Sequence, residues 1–174
     1  VVQAIVEKYG VAEIRAGDVF VTNDPWLCAG HLYDIALVKP IFHGGRLIGF
    51  AESLAHLPDI GGSLTNDTRD VFEEGLFVPI VRLISEGKPH QEIWDVILGN
   101  VRIPDQIEGD ILALMAALDI IESRVESHLQ VYGDDFEELA SQIILASSYA
   151  LECSLAELIP DGVYVGVAEI DGFE

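Results

Sequence analysis

Two imidazoles and a carboxylate, His31, Asp34 and His56, stand in the stretch of this chain whose residue types best suit metal chemistry, Gly17 to Gly62. The stretch also contains His43, and so carries three of the five histidines. Two imidazole nitrogens and one carboxylate oxygen form a ligand set for a divalent first-row transition metal of the Mn, Zn or Fe type, with positions left open for water or substrate. The competing reading makes one histidine a hydrogen-bonded core residue and the other a surface one.

Turn chemistry decides whether these side chains can meet. Two apolar runs, Ile35 to Phe42 and Leu47 to Leu54, flank His43-Gly44-Gly45-Arg46. A Gly-Gly pair between strand-like runs predicts a tight hairpin, because both glycines tolerate positive φ. With Gly44 and Gly45 as the loop, His43 faces Arg46, Asp34 faces Ala55, Tyr33 faces His56 and His31 faces Pro58. His31 and His56 are then diagonal neighbours, about 7–8 Å apart at Cα, within reach of long side chains. Asp34 has the wrong parity for that face, so it joins only if the chain bends around Gly30 to Asp34.

The runs GDVFVTNDPW, GHLYDIALVKPIF, GFAESLAHLPDIGG, FEEGLFVPIVRL and LGNVRIPDQIEGDI occur in this order. Together they resemble the B-type subunit of the hydantoinase and 5-oxoprolinase family, which includes the large subunits of acetone and acetophenone carboxylases. The resemblance runs from about Val1 to about Ala117. It implies that His31 and Asp34 of HLYD and His56 of AHLPD match metal-ligand positions, with a further aspartate expected from a segment preceding this chain. It also implies an A-type nucleotide-binding partner, a separate subunit or a fused half, that handles ATP. No phosphate-cradling glycine loop is present in this sequence, in keeping with ATP being bound elsewhere.

Composition bounds the partners. With 30 acidic and 9 basic residues the chain carries a net charge of −21, which disfavours nucleic acid and anionic membrane surfaces. The imbalance is either a solubility feature or a face that docks on a more basic subunit. Cys28 and Cys153 follow no metal or redox spacing, so reduced thiols and a cytoplasmic location are expected. No unbroken run of eighteen apolar residues occurs and VVQAIVEKYG lacks a basic leader, so neither a membrane span nor a signal peptide is expected. The chain starts without methionine, in mid-helix pattern, and is expected to be an internal piece of a longer polypeptide.

The periodicities predict an α+β fold, a hairpin-centred antiparallel or mixed sheet with a long antiparallel helix pair packed on it. Residues 1–104 form the metal-site sheet region, 105–160 the helical hairpin and 161–174 the start of a further strand region. A short helix over Val1 to Tyr9 ends at Gly10, and Asp18 to Thr22 is a buried strand. Leu76 to Ile84 reads as a strand, Ser85 to His90 as a turn, and Gln91 to Leu98 as a helix. A long helix runs from Asp105 to Tyr132, and a second, capped by Asp134 or Asp135, runs to Leu158. Val163 to Ile170 alternates as a strand.

Further residues are candidates for chemistry. Asp24 either caps a turn or orients an imidazole, and Trp26 either walls a pocket or, on the better reading, sits in the core. Asp59 repeats the His-x-x-Asp spacing and is an outer carboxylate, a fourth ligand or a turn residue. Of Glu73 and Glu74, one is read as a surface residue; a carboxylate near a metal could act as general base. Arg102 is an internal salt bridge or a fork for a substrate carboxylate or phosphate.

The leading expectation is the metal- and small-molecule-binding part of an ATP-dependent cyclic-amide hydrolase, of hydantoinase or 5-oxoprolinase type, within a hetero-oligomer. A ketone carboxylase subunit, a non-catalytic acidic docking domain and a stand-alone metallohydrolase are the alternatives.

Overall fold

Val19–Thr22 is a run of β-branched and aromatic residues buried on both faces, as a central strand must be. In the computed structural model, which describes residues 1–63, 68–133, 136–159 and 161–168, this strand is β1. Asp34–His43 forms β2, Arg46–His56 β3, Val81–Ser85 β4 and Lys88–Pro89 β5. They make one antiparallel sheet of order β3-β2-β1-β4-β5. The helices are α1 (Val2–Tyr9), α2 (Val71–Glu74), α3 (Gln91–Gly99), α4 (Pro104–Tyr132) and α5 (Phe136–Leu158). The α+β class with an antiparallel sheet is therefore the observed one.

The chain divides into two compact units, Val1–Ser127 and His128–Glu174. In the first, strand alternation sends side chains to two cores. Val21, Leu37 and Leu83 on one face pack with Ile97 of α3 and with Ile107 and Ile111 of α4. Phe20 and Val38 on the other face pack with Ile5 of α1, with Ile14 and with Ile80. Each fully buried isoleucine contributes about 2 kcal/mol of transfer free energy. The α4 stripe is as its spacing predicts at Ile107, Ile111 and Leu118, which are buried, whereas Ile121 is exposed.

The hairpin forms with His43 opposite Arg46, but its register differs from simple counting. Phe42 pairs with Leu47 and Ile41 with Gly49, so Ile48 is an extra residue on β3. This bulge moves every later pair by one, and Asp34 faces His56 instead of Ala55. The parity obstacle to Asp34 is removed in the strand itself.

Other elements depart from expectation for identifiable reasons. The strand expected from Leu76 begins only at Val81, because the backbone groups of Leu76 and Val78 bond the Asn23 side chain in place of a ladder. Ser85 to His90 is a second hairpin, with Glu86 and Gly87 at φ 48° and 80° as its turn and β5 as its return arm. Over 163–168 there is no strand, since no partner strand lies beside it among the described residues; 169–170 lie outside them. The proposed caps Asp134 and Asp135 and residues 64–67 of the loop after β3 also lie outside them.

The second unit contains the end of α4 and α5. Ile143, Ile144, Leu145, Tyr149 and Leu151 of α5 are exposed. Glu138–Leu158 is, by length and composition alone, long and apolar enough to cross a membrane, with a mean hydropathy of 1.2. The expectation of no span counted only unbroken apolar runs, and this helix is interrupted by Ser147, Ser148 and Glu152.

Lys39 of β2 fastens the sheet to α4, its ammonium 2.6 Å from Asp119 and also paired with Glu122. Burial would lower the Lys39 pKa, but the hydrogen bonds it donates to Asp119 and Glu122 outweigh that and hold the ammonium above the ordinary lysine value. A raised folded pKa contributes stability that is present below the unfolded value, near 10.4, and is lost as pH rises through the folded one. Lys39→Met is expected to cost about 1 kcal/mol at neutral pH. In denaturant titrations the gap from the wild type should close at strongly alkaline pH; a gap independent of pH would refute the ion-pair account.

Candidate metal centre

Asp34 opens β2 and His56 closes β3, so the bulged hairpin sets them directly opposite each other at one end of the sheet. Asp34 is 8% exposed, and its carboxylate lies between the two imidazoles. Its Oδ1 is 3.1 Å from His56 Nδ1 and its Oδ2 is 3.4 Å from His31 Nε2. The two imidazole rings are nearly perpendicular, with centroids 5.0 Å apart. Tyr33 stacks on His56 at 5.2 Å and donates its hydroxyl to the Ser63 carbonyl. More than half of the His56 side chain faces solvent, which leaves one side of the cluster open.

His31 reaches the cluster from the loop between β1 and β2, which is tied down at several points. Asp24 Oδ1 accepts from Trp26 N, and the Asp24 carbonyl accepts from Leu27 N and Cys28 N, so the loop starts as a capped turn. Gly30, at φ 92°, supplies the left-handed step before His31. Past it, Leu32 N donates to Glu74 Oε2 at 2.9 Å, and the Leu32 carbonyl accepts from Asn23 Nδ2 at 2.8 Å. Asn23 is wholly buried and also bonds Leu76 and Val78, making it a polar hub beneath the loop.

The donor set and its spacing fit a metal ion. Imidazole and carboxylate bonds of about 2.1 Å at tetrahedral angles place two ligand atoms about 3.4 Å apart. The 3.1 and 3.4 Å approaches run to different oxygens of Asp34, and with one ligand atom taken from each residue all three lie within 4.8 Å of one another. His31 Nδ1, the ring nitrogen other than the one facing Asp34, is buried without a hydrogen-bond partner.

The remaining candidates separate clearly. Asp59 and Arg102 pair with each other rather than with the histidines: Arg102 Nη1 is 3.0 Å from Asp59 Oδ1 and donates also to the Gly61 carbonyl, while Nη2 donates to that of Gly62. Arg102 is thus an internal clamp on the segment that follows His56. Burial alone would raise the Asp59 pKa, but bonds from Gly61 N, Arg102 N, the Arg102 side chain and Ile103 N hold it below the ordinary carboxylate range. Glu73 is the surface member of its pair, capping Arg69 N, and Glu74 is the one turned to the His31 loop. Trp26, expected in the core, is 95% exposed and walls a pocket, because the Asp24 turn holds it outward.

Residue typing overlooked Tyr33 and Asn23. For Tyr33 a signal existed, since it lies between His31 and Asp34 and simple counting places it beside His56. Nothing local marked Asn23, whose partners are 9 and 53 to 55 positions away.

Fold and site together define an α+β protein with a two-histidine, one-aspartate cluster able to hold a metal ion. The chain belongs to the hydantoinase B/oxoprolinase family, whose model matches residues 1–174, well past the point near Ala117 reached by the sequence blocks. It is 31% identical to the B-type chain of a putative D-/L-hydantoinase of Pseudomonas sp., over 90% of this chain and 27% of that protein. Against the acetophenone carboxylase delta subunit of Aromatoleum aromaticum the identity is 26%, over 94% of this chain and 25% of that one. The crystal structure of the ATP-dependent caprolactamase of Pseudomonas jessenii superposes with a TM-score of 0.85 at 29% identity, covering 97% of this chain and 30% of that one. The chain thus spans less than a third of the length of these relatives.

The depressed Asp59 pKa contributes stability that is present above the unfolded value, near 3.9, and is lost as pH falls through the folded one. Asp59→Asn, which leaves Arg102 without its carboxylate, is expected to cost about 2–3 kcal/mol at neutral pH. Chemical denaturation from pH 7 downwards should show the deficit shrinking below about pH 4. A deficit of a few tenths of a kcal/mol at pH 7 would show that the clamp is dispensable.

Proposed function

We propose that this chain is the metal- and substrate-binding part of an ATP-dependent cyclic-amide hydrolase that works with a nucleotide-binding partner subunit or fused half. The observation that carries the reading is the clustering of His31, Asp34 and His56, one ligand atom of each lying within 4.8 Å of the others. Family membership supports it, as do relatives named hydantoinase and ATP-dependent caprolactamase, since hydantoin and caprolactam are both cyclic amides. The hydantoinase and carboxylase relatives are named as subunits, which supports a hetero-oligomer, and an acidic chain of net charge −21 suits a more basic partner. Two free cysteines suit a reducing compartment, and we place the protein in the cytoplasm.

In this scheme His31, Asp34 and His56 would hold a divalent ion of the Mn, Zn or Fe type, which would supply Lewis acidity at the amide carbonyl. The protein's own part is orientation. Asp34 bridges both imidazoles, Tyr33 covers one face of His56, and Glu74 fixes the Leu32 amide so that His31 keeps its place. The exposed side of His56 leaves room for a further ligand from outside this chain and for substrate. A ketone carboxylase subunit is the second reading, favoured by the match over 94% of the chain to the acetophenone carboxylase delta subunit.

The test uses the full-length protein with its partner. Metal analysis should find one ion per chain, and His31→Ala and His56→Ala should each lower metal affinity and ATP-dependent ring opening by at least about 100-fold. Unchanged metal content and turnover in both variants would refute the reading and leave a docking domain. ADP release with hydantoin or 5-oxoproline, against ketone plus bicarbonate, separates hydrolase from carboxylase.

A further inference from the structure

Trp26, Phe72 and Phe77 converge on a pocket of about 480 Å³, a volume within the range of small-molecule sites. Trp26 is 95% exposed and Phe72 84%, an unusual cost in hydrated aromatic surface for residues that pack against no core. The pocket and the cluster share one loop, since Gly30 of the lining precedes His31 and Glu74 of the lining accepts from the Leu32 amide. Its polar lining is of one kind. Asp24 and Glu74, each with one carboxylate oxygen bonded to a backbone amide, are its acidic residues, and among the described residues no lysine, arginine or histidine lines it.

These features select a ligand class. Aromatic walls favour a flat or cyclic apolar body by stacking and burial. Carboxylates at the wall accept from N–H donors and repel carboxylates. We propose that this pocket is the recognition subsite for a neutral ring compound that carries amide N–H groups and an apolar or aryl substituent, and that it discriminates against the ring-opened acid. The proposal rests on the hydrolase reading for the identity of the ring. Hydrolysis breaks the amide C–N bond, forms a C–O bond from water and returns a proton to nitrogen. The product is a carboxylate, and Asp24 and Glu74 repel that charge. The same pocket that admits the substrate therefore favours release of its product.

The probes are 5-benzylhydantoin and its ring-opened N-carbamoyl acid, added without ATP to the full-length protein in complex with its partner. Calorimetry reads affinity, and the emission difference between wild type and Trp26→Phe reads occupancy at Trp26. The hydantoin should quench the Trp26 emission. Trp26→Ala and Phe72→Ala should bind it at least about tenfold more weakly, and the acid should bind the wild type at least about tenfold more weakly than the hydantoin. Equal affinity in the variants, equal affinity for the acid, or no change at Trp26 would each overturn the proposal. So would a Trp26 emission already blue-shifted in the free complex, which would assign the aromatic trio to a protein contact.

His56→Ala keeps this outcome apart from the metal reading, because His56 does not line the pocket. Turnover lost with quenching intact is the expected pattern. Turnover intact overturns the metal reading alone, and quenching absent from a wild type of normal metal content and turnover overturns the pocket alone.

Discussion

A carboxylate that is nearly buried at the end of a sheet must be given partners, because stripping it of water without compensation costs several kcal/mol. Asp34 meets that demand with two imidazoles, one on each oxygen, and the candidate metal centre follows from this arrangement. One residue of irregularity makes it possible. The bulge at Ile48 turns a mismatch of parity between Asp34 and His56 into a direct cross-strand pair, so the sheet's own hydrogen bonds fix their separation. A carboxylate delivered by a loop would lack that restraint.

Around this pair the backbone is interlocked, and glycine is what permits it. A Cβ on Gly61 would come within 2.5 Å of the Asn100 carbonyl, one on Gly62 within 2.3 Å of the Glu74 backbone, and one on Gly75 within 2.4 Å of the Ile60 carbonyl. Three segments distant in sequence thus touch main chain to main chain, with Asp59 and Arg102 clasping the outer edge. Because Glu74 sits in this interlock while bonding Leu32, the placement of His31 depends on contacts far from it in the chain. The centre is positioned by a rigid frame even though one imidazole is open to solvent.

The aromatic pocket and the candidate centre share the segment from Asp24 to Asp34. Its turn holds Trp26 outward and its far end holds His31 inward. A single loop therefore carries both a wall of the pocket and one of the candidate ligands, and it is held by Asn23 beneath it and by the buried Leu32.

Much of this was legible in the amino acids. The Gly44-Gly45 turn and the two apolar runs predict the hairpin, the 3.6-residue stripe predicts α4, and residue type nominates His31, Asp34 and His56, because these are local properties of turn, period and side chain. Four things were decided only by the tertiary structure. The bulge depends on how β3 twists against β2, so counting from the turn missed it. Which of Glu73 and Glu74 matters, and that Arg102 serves Asp59, depend on contacts across about 40 positions, for which one sequence carries no signal. Trp26 faces outward because the Asp24 turn holds it there, and composition alone assigns such a residue to the interior.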